Sequence, residues 1–154
     1  MENNKTIKIY KRIDKKMKKV KNYKYNYHLD KYGKLIALEE KKQIPFCIKR
    51  VYYIYEVEKN VRRGFHSHKK LEQILVCVHG KVKILLKTPY EETTILLDDP
   101  SKGLYVGTDI WREMYDFENE AVLMVLASDL YDENDYIRNY NEYEKYYLEK
   151  EESK

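Results

Sequence analysis

An all-β sandwich or barrel closed by a C-terminal helix is the fold this sequence predicts, and three observations predict it. Short runs rich in β-branched and aromatic residues recur along most of the chain, with turn residues every ~8–12 positions. Glycine and proline number only five and three, so each marks a specific break rather than general looseness. Beyond Asp132 the apolar spacing changes from the two-residue period of strands to a helical one.

The elements follow in order. Residues 34–39 (KLIALE) and 48–58 (IKRVYYIYEVE) read as strands joined through Pro45. The apolar runs 73–78 and 81–86 flank His79-Gly80, a hairpin signal because glycine supplies positive φ. Residues 93–97, 104–106, 111–117 and 121–127 are further short strands, separated by turns at Asp99-Pro100, Gly107 and Asn119. Asp132 is the expected N-cap of the helix, with Tyr136, Tyr140, Tyr143 and Tyr147 on its packing face.

A chain of 154 residues is one domain, and 43% hydrophobic with 14% aromatic residues is enough for a packed core. No apolar run approaches the ~18 residues of a membrane span, and no apolar stretch of a secretory signal follows the N-terminal lysines. Cys47 and Cys77 are too few for a disulfide framework. A cytoplasmic protein is therefore expected. The net charge is +4, but residues 1–24 hold ten Lys/Arg against Glu2 and Asp14, so residues 25–154 are net acidic. Basicity confined to a leader argues against a nucleic-acid groove within the domain. The expected organisation is a basic arm over 1–24 and a folded domain over 25–154.

One constellation carries chemistry. In Arg62-Arg63-Gly64-Phe65-His66-Ser67-His68 the two histidines stand at i and i+2, on one face of a strand. Paired imidazoles suit either a metal site or acid–base catalysis. The spacing His-x-His-x4-Gln-x6-Gly, from His66 to Gly80, resembles the first cupin motif, and the stretch from Gly103 to Arg112 resembles the second. Gln73 stands where cupins place a glutamate ligand, and Arg112 where they place a histidine. A neutral amide ligates poorly and a guanidinium not at all. The resemblance thus implies a cupin jelly roll without its metal and with no cofactor.

Four segments in order, IPFCIKRVYYIYEV (44–57), RRGFHSHKKLEQILVCVHGKVKILL (62–86), GLYVGTDIWREMYDF (103–117) and VLMVLASDLYDENDYIRNYNEY (122–143), are similar to the nucleotide-sugar 3,4-ketoisomerases. That resemblance implies a substrate, a dTDP-linked 4-keto-6-deoxyglucose, whose carbonyl moves from C4 to C3. The product is then aminated on the way to 3-amino-3,6-dideoxyhexoses of surface polysaccharides. It also implies a homodimer that exchanges N-terminal strands, with residues 34–39 on the partner's sheet, and an arm that is dispensable over residues 1–22. The family's two histidines fall on His66 and His68, the expected acid/base pair. Tyr52, sharing a strand face with Arg50, is placed to orient the C4 oxygen or relay a proton. Arg50, Arg63 and Arg112 are candidates for the diphosphate, Gln73 for a sugar hydroxyl, and Trp111 for the thymine or sugar. The overall likeness leans toward the galacto rather than the gluco product at C4. Rival readings are a related nucleotide-sugar epimerase, a non-catalytic sugar-binding cupin and a metal-dependent dioxygenase.

Overall fold

The computed structural model describes residues 17–154; residues 1–16 of the expected arm lie outside the described residues. In chain order the strands are β1 (Val20–Lys24), β2 (His28–Asp30), β3 (Gly33–Leu35), β4 (Arg50–Ile54), β5 (Arg63–His68), β6 (Gln73–Lys87), β7 (Glu92–Leu97), β8 (Lys102–Val106), β9 (Trp111–Ala127) and β10 (Tyr136–Ile137). One helix, α1 (Tyr140–Glu152), follows them. The main sheet runs β1-β8-β6-β9-β5-β10, with β4 also on β9 and β7 also on β6, while β2 and β3 form a separate hairpin. This is the predicted all-β cupin-type fold with a C-terminal helix. Among the described residues no helix is long and apolar enough to cross a membrane.

Two long antiparallel strands organise it. The runs 73–78 and 81–86 are not a hairpin but the two halves of β6, and 111–117 and 121–127 are likewise the halves of β9. Gly80 does adopt positive φ, +67°, but Asn119 and Glu120 opposite it are also left-handed, at +56° and +54°. Both strands therefore bend at the same level through successive bulges, and their pairing resumes beyond. A Cβ at position 80 would meet the Glu118 carbonyl oxygen at 2.4 Å, so only glycine fits the bend. The first half of β6 pairs with β8 and the second with β7, so one strand serves both ends of the curled sheet. Leu75, Val82, Ile84, Leu104, Leu123 and Val125 fill the core between them.

The charge-based boundary at residue 24 needs correcting. Residues 20–24 form β1, paired with β8 in register from Val20↔Val106 to Lys24↔Lys102. Met17 and Val20 are buried in the main core. The lysines mislead because an edge strand tolerates them: Val20 points inward while Lys21 and Lys24 face out. Lys19 reaches the buried Asp109 carboxylate at 2.6 Å, and Lys150 of α1 reaches the same oxygen at 2.8 Å. The Asp109 N–H donates to the His68 carbonyl at 2.8 Å. Other expected boundaries shift modestly. The strand within 48–58 is β4 alone. Within 34–39 only the first residues are strand, and Ile36 and Leu38 pack beside Ile44, Phe46 and Ile74.

The helix begins later than Asp132. Asp132 instead caps a single 3-10 turn, Glu133–Asp135, by accepting from the Asn134 N–H. Tyr136 and Ile137 then pair with His68 and Ser67 of β5. Asn139 caps α1, accepting from the Glu142 N–H at 3.1 Å. Tyr140, Tyr143 and Tyr147 keep the packing role; buried Tyr143 donates to the carbonyls of Lys87 and Asp109. Tyr136 leaves the stripe and goes to the histidines.

Candidate active site

The site is built on β5 and the strands beside it. Gly64 and Phe65 both have positive φ, and the register with β9 slips between Gly64 and His66. A Cβ on Gly64 would come within 2.9 Å of the Arg112 carbonyl oxygen, so glycine permits the bulge that re-aims the following residues. His66 and His68 are buried beyond it, their ring centroids 4.9 Å apart and nearly perpendicular. Tyr136 covers both, at 5.0 Å from His66 and 4.4 Å from His68.

The two histidines differ in access. His66, 8% exposed, lines an open cleft of about 330 Å³ together with Arg50, Tyr52, Arg63, Tyr136 and Arg138. His68, 1% exposed, lies behind it. Its Nδ1 is 3.0 Å from Asp135 Oδ2, and Asp135 also accepts from the Lys70 and Leu71 N–H groups. Hydrogen-bonded to that carboxylate, the neutral ring carries its proton on Nδ1 and leaves Nε2 as the lone pair. Burial, and next the Arg112 charge, lower the pKa of His66 to about 4 and hold that of His68 far below the ordinary histidine value. Both rings are neutral near pH 7.

Beneath them Arg112 is fully buried without a carboxylate partner. It donates to Gln73 Oε1 at 2.5 Å, to the Ile110 carbonyl at 2.8 Å and 3.2 Å, and to the Gly107 carbonyl at 3.4 Å. Gln73 Nε2 in turn donates to Tyr52 Oη at 2.9 Å. Burial lowers the pKa of Arg112 to about 10, which leaves it charged at neutrality, and raises that of Tyr52.

These positions sort the sequence-based candidates. His66, Tyr52, Arg50 and Arg63 meet at the cleft. Arg112 and Gln73 do not reach it: the guanidinium spends its donors on internal oxygens, and both ends of the amide are engaged, so neither is free for diphosphate or sugar. Trp111 is on the other side of β9, 3% exposed and packed against Tyr140 and Tyr143. Adjacent strand residues face opposite ways, so turning Arg112 inward turns Trp111 outward. Asp135, Tyr136 and Arg138 were missed. Arg138 lies 4.2 Å over the Tyr136 ring and forks onto Glu133 at 2.7 and 2.9 Å.

The donor set does not fit the metal of a typical cupin. Gln73 Oε1 is committed to Arg112, whose fixed charge repels a cation at the place of the lost ligand. Among the described residues no three His, Cys, Asp or Glu side chains converge.

Comparison with known proteins shows the family. The family described as "FdtA: WxcM-like, C-terminal" matches residues 14–148. The chain is 53% identical over 118 residues to the TDP-4-oxo-6-deoxy-alpha-D-glucose-3,4-oxoisomerase of Aneurinibacillus thermoaerophilus, covering 77% of this chain and 85% of that protein. It superposes on QdtA, a sugar 3,4-ketoisomerase from Thermoanaerobacterium thermosaccharolyticum in complex with TDP, with a TM-score of 0.85 and 54% identity over 87% of this chain and 98% of that one. The WlaRB TDP-quinovose 3,4-ketoisomerase of Campylobacter jejuni gives 0.80 and 46%, over 84% and 99%. With a family match across nearly the whole chain and relatives above half identity, the chain belongs to the FdtA/WxcM-like sugar 3,4-ketoisomerases.

Proposed function

We propose that this protein moves the carbonyl of dTDP-4-keto-6-deoxyglucose from C4 to C3 through an enediolate. The observation that carries the reading is a neutral imidazole, His66, on the wall of a cleft rimmed by Arg50, Arg63 and Arg138. Arg50 lies over the rings of Tyr52 and Tyr131, with Nε and Nη2 buried and unpartnered. Buried donors of this kind need an acceptor, and a diphosphate supplies one. Arg63 is exposed beside it and serves the same anion.

The C4 ketone acidifies the C3 hydrogen. His66 takes that proton, the C–H electrons form the C3–C4 double bond, and the C4 oxygen becomes an enediolate. Tyr52 donates to this oxygen. Protonation at C4 and at the C4 oxygen, with loss of the O3 proton, leaves the ketone at C3 and a hydroxyl at C4. Protons leave and arrive in equal number, so no oxidant is consumed. C3 abstraction is assigned to His66 because it borders the cleft. His68 is the second member of the pair, with Nε2 as its working nitrogen. Amination of the new C3 ketone is the reaction class that would consume the product.

The test is incubation with the 4-keto sugar nucleotide, followed by NMR. The C3-keto product should form at the same rate with and without EDTA. Loss of activity in chelator, restored by one divalent ion, would overturn the metal-free mechanism, and inversion without carbonyl migration would indicate an epimerase. At C4 the sequence favours the galacto product. The 46% identity to an enzyme named for quinovose, a gluco sugar, supports the gluco product as a second reading. Large diaxial couplings of the C4 proton would select the gluco product.

We also propose a homodimer whose N-terminal hairpins exchange. Tyr32 in the β2–β3 turn is 84% exposed, and Tyr53 of β4 is 65% exposed beside exposed Val51 and Tyr55. A second copy laid on these apolar surfaces would cover them. Light scattering should give twice the chain mass, and Val51→Lys with Tyr53→Glu should give monomers. A wild-type monomer at micromolar concentration would count against the exchange.

A further inference from the structure

Gln73 sits in the middle of a line of three side chains from three strands: Arg112 on β9, Gln73 on β6 and Tyr52 on β4. The direction of hydrogen bonding along this line is fixed by chemistry. A guanidinium only donates, so the amide must turn Oε1 toward Arg112, at 2.5 Å, and its NH₂ toward Tyr52, at 2.9 Å. The Tyr52 oxygen is therefore an acceptor on its inner side. Its own O–H has to point elsewhere, and Tyr52 lines the cleft.

We infer that Gln73 is a positioning residue, which holds the Tyr52 hydroxyl so that its proton faces the cleft and meets the sugar oxygen on which negative charge develops. The inference rests on the ketoisomerase reading above and adds a cause for the donor's direction. The buried charge of Arg112 acts through the same line, opposing the upward effect of burial on the Tyr52 pKa. A free hydroxyl samples several rotamers and spends part of its time donating inward. The amide removes those alternatives before substrate arrives, as preorganised donors do.

Gln73→Glu separates this role from simple space filling, because the two side chains have nearly the same shape. The carboxylate still accepts from Arg112, but toward Tyr52 it can only accept, so the phenol must turn its proton inward. Turnover should fall about 10²-fold, the loss typical of one missing oxyanion donor, with KM changed less than about threefold. Combining Gln73→Glu with Tyr52→Phe should cost no more than Tyr52→Phe alone. Gln73→Met, which removes both bonds and leaves the hydroxyl free to rotate, should lose less than Gln73→Glu.

A second readout does not depend on turnover. In protein labelled at tyrosine Cζ, with the Tyr52 signal assigned by Tyr52→Phe, Gln73→Glu should shift that signal downfield as the phenol becomes a donor to a carboxylate. An unmoved signal, or a Gln73→Glu enzyme within a few-fold of wild type, would overturn the role given to Gln73 while leaving the reaction itself intact. A wild-type protein that does not isomerise the sugar would instead overturn the ketoisomerase reading. The labelled-tyrosine experiment would still decide the direction of the hydroxyl.

Discussion

His66→Asn is expected to cut turnover by at least 10²-fold, the usual loss for a missing general base, while nucleotide affinity stays within a few-fold of wild type. Asparagine preserves much of the shape and hydrogen bonding but takes no proton near neutrality. The arginines that would hold the diphosphate are untouched. In D₂O the wild-type enzyme should place deuterium at C4 of the product, and His66→Asn should also stop exchange of the C3 hydrogen in recovered substrate. If exchange at C3 persisted in His66→Asn and disappeared in His68→Asn, the two assignments would be reversed.

The same residue sets an expectation for pH. A histidine with its pKa lowered to about 4 stays an unprotonated base well below the ordinary value of 6.5. The acid limb of kcat/KM should therefore lie below the one an exposed histidine would give. Stability moves in the same range. Between pH 6.5 and about 4 the unfolded chain protonates His66 more readily than the folded one, so the fold weakens as pH falls through that window. An acid limb at 6.5 would mean that the free site is far more hydrated than its geometry implies.

Removing residues 1–24 is expected to unfold the protein or make it aggregate, against the expectation, drawn from the extent of the family resemblance, that residues 1–22 are dispensable. The deletion takes away Met17 and Val20, both buried. Burial of two such side chains is worth about 3–6 kcal/mol, a large share of the roughly 5–15 kcal/mol that holds a domain together. It also bares the backbone of β8 along its whole length and removes one of two cations from the buried Asp109 carboxylate. A circular-dichroism melt compared with the full chain checks this. A truncated protein melting within a few degrees of wild type would show that β1 contributes little.

How much of this was legible in the sequence depends on the range of the interaction. The i, i+2 spacing put His66 and His68 on one strand face, and motif position set Gln73 and Arg112 at two lost ligand positions, whereas their bond to each other inside the barrel emerges only from the fold. The alternation that sends Arg112 inward also sends Trp111 outward, so the sequence already excluded having both in the site. Asp135 and Tyr136 were hidden because tyrosines at 136, 140, 143 and 147 suit one helix, and period alone cannot show where that helix begins. The signal was present in Asn139 with Glu142 three residues later, a second capping pair after Asp132. The cation at the cleft mouth, Arg138, follows from the same missed boundary. β1 was obscured because block charge outweighed a short strand whose partner, β8, lies some eighty residues away. The bend in β6 and β9 was misread as two turns because positive φ at Gly80 fits either one, and only the matching distortion at Asn119 and Glu120 distinguishes them.

The shared carboxylate of Asp109 bears on how the chain opens. Lys19, just before the first strand, and Lys150, in the last helix, grip one oxygen, and the same residue's N–H holds the carbonyl of His68. Chain ends commonly fray as separate low-stability units, exchanging their amide hydrogens long before the core does. Here neither β1 nor α1 can detach without taking one of two cations from a buried carboxylate next to β5. Protection factors along β1 and α1 should therefore approach those of β6 and β9, and Asp109→Asn should loosen both ends together. In that variant the amides of β5 around His68 should exchange faster as well, because the opening that frees β1 and α1 also reaches the strand that carries the two histidines.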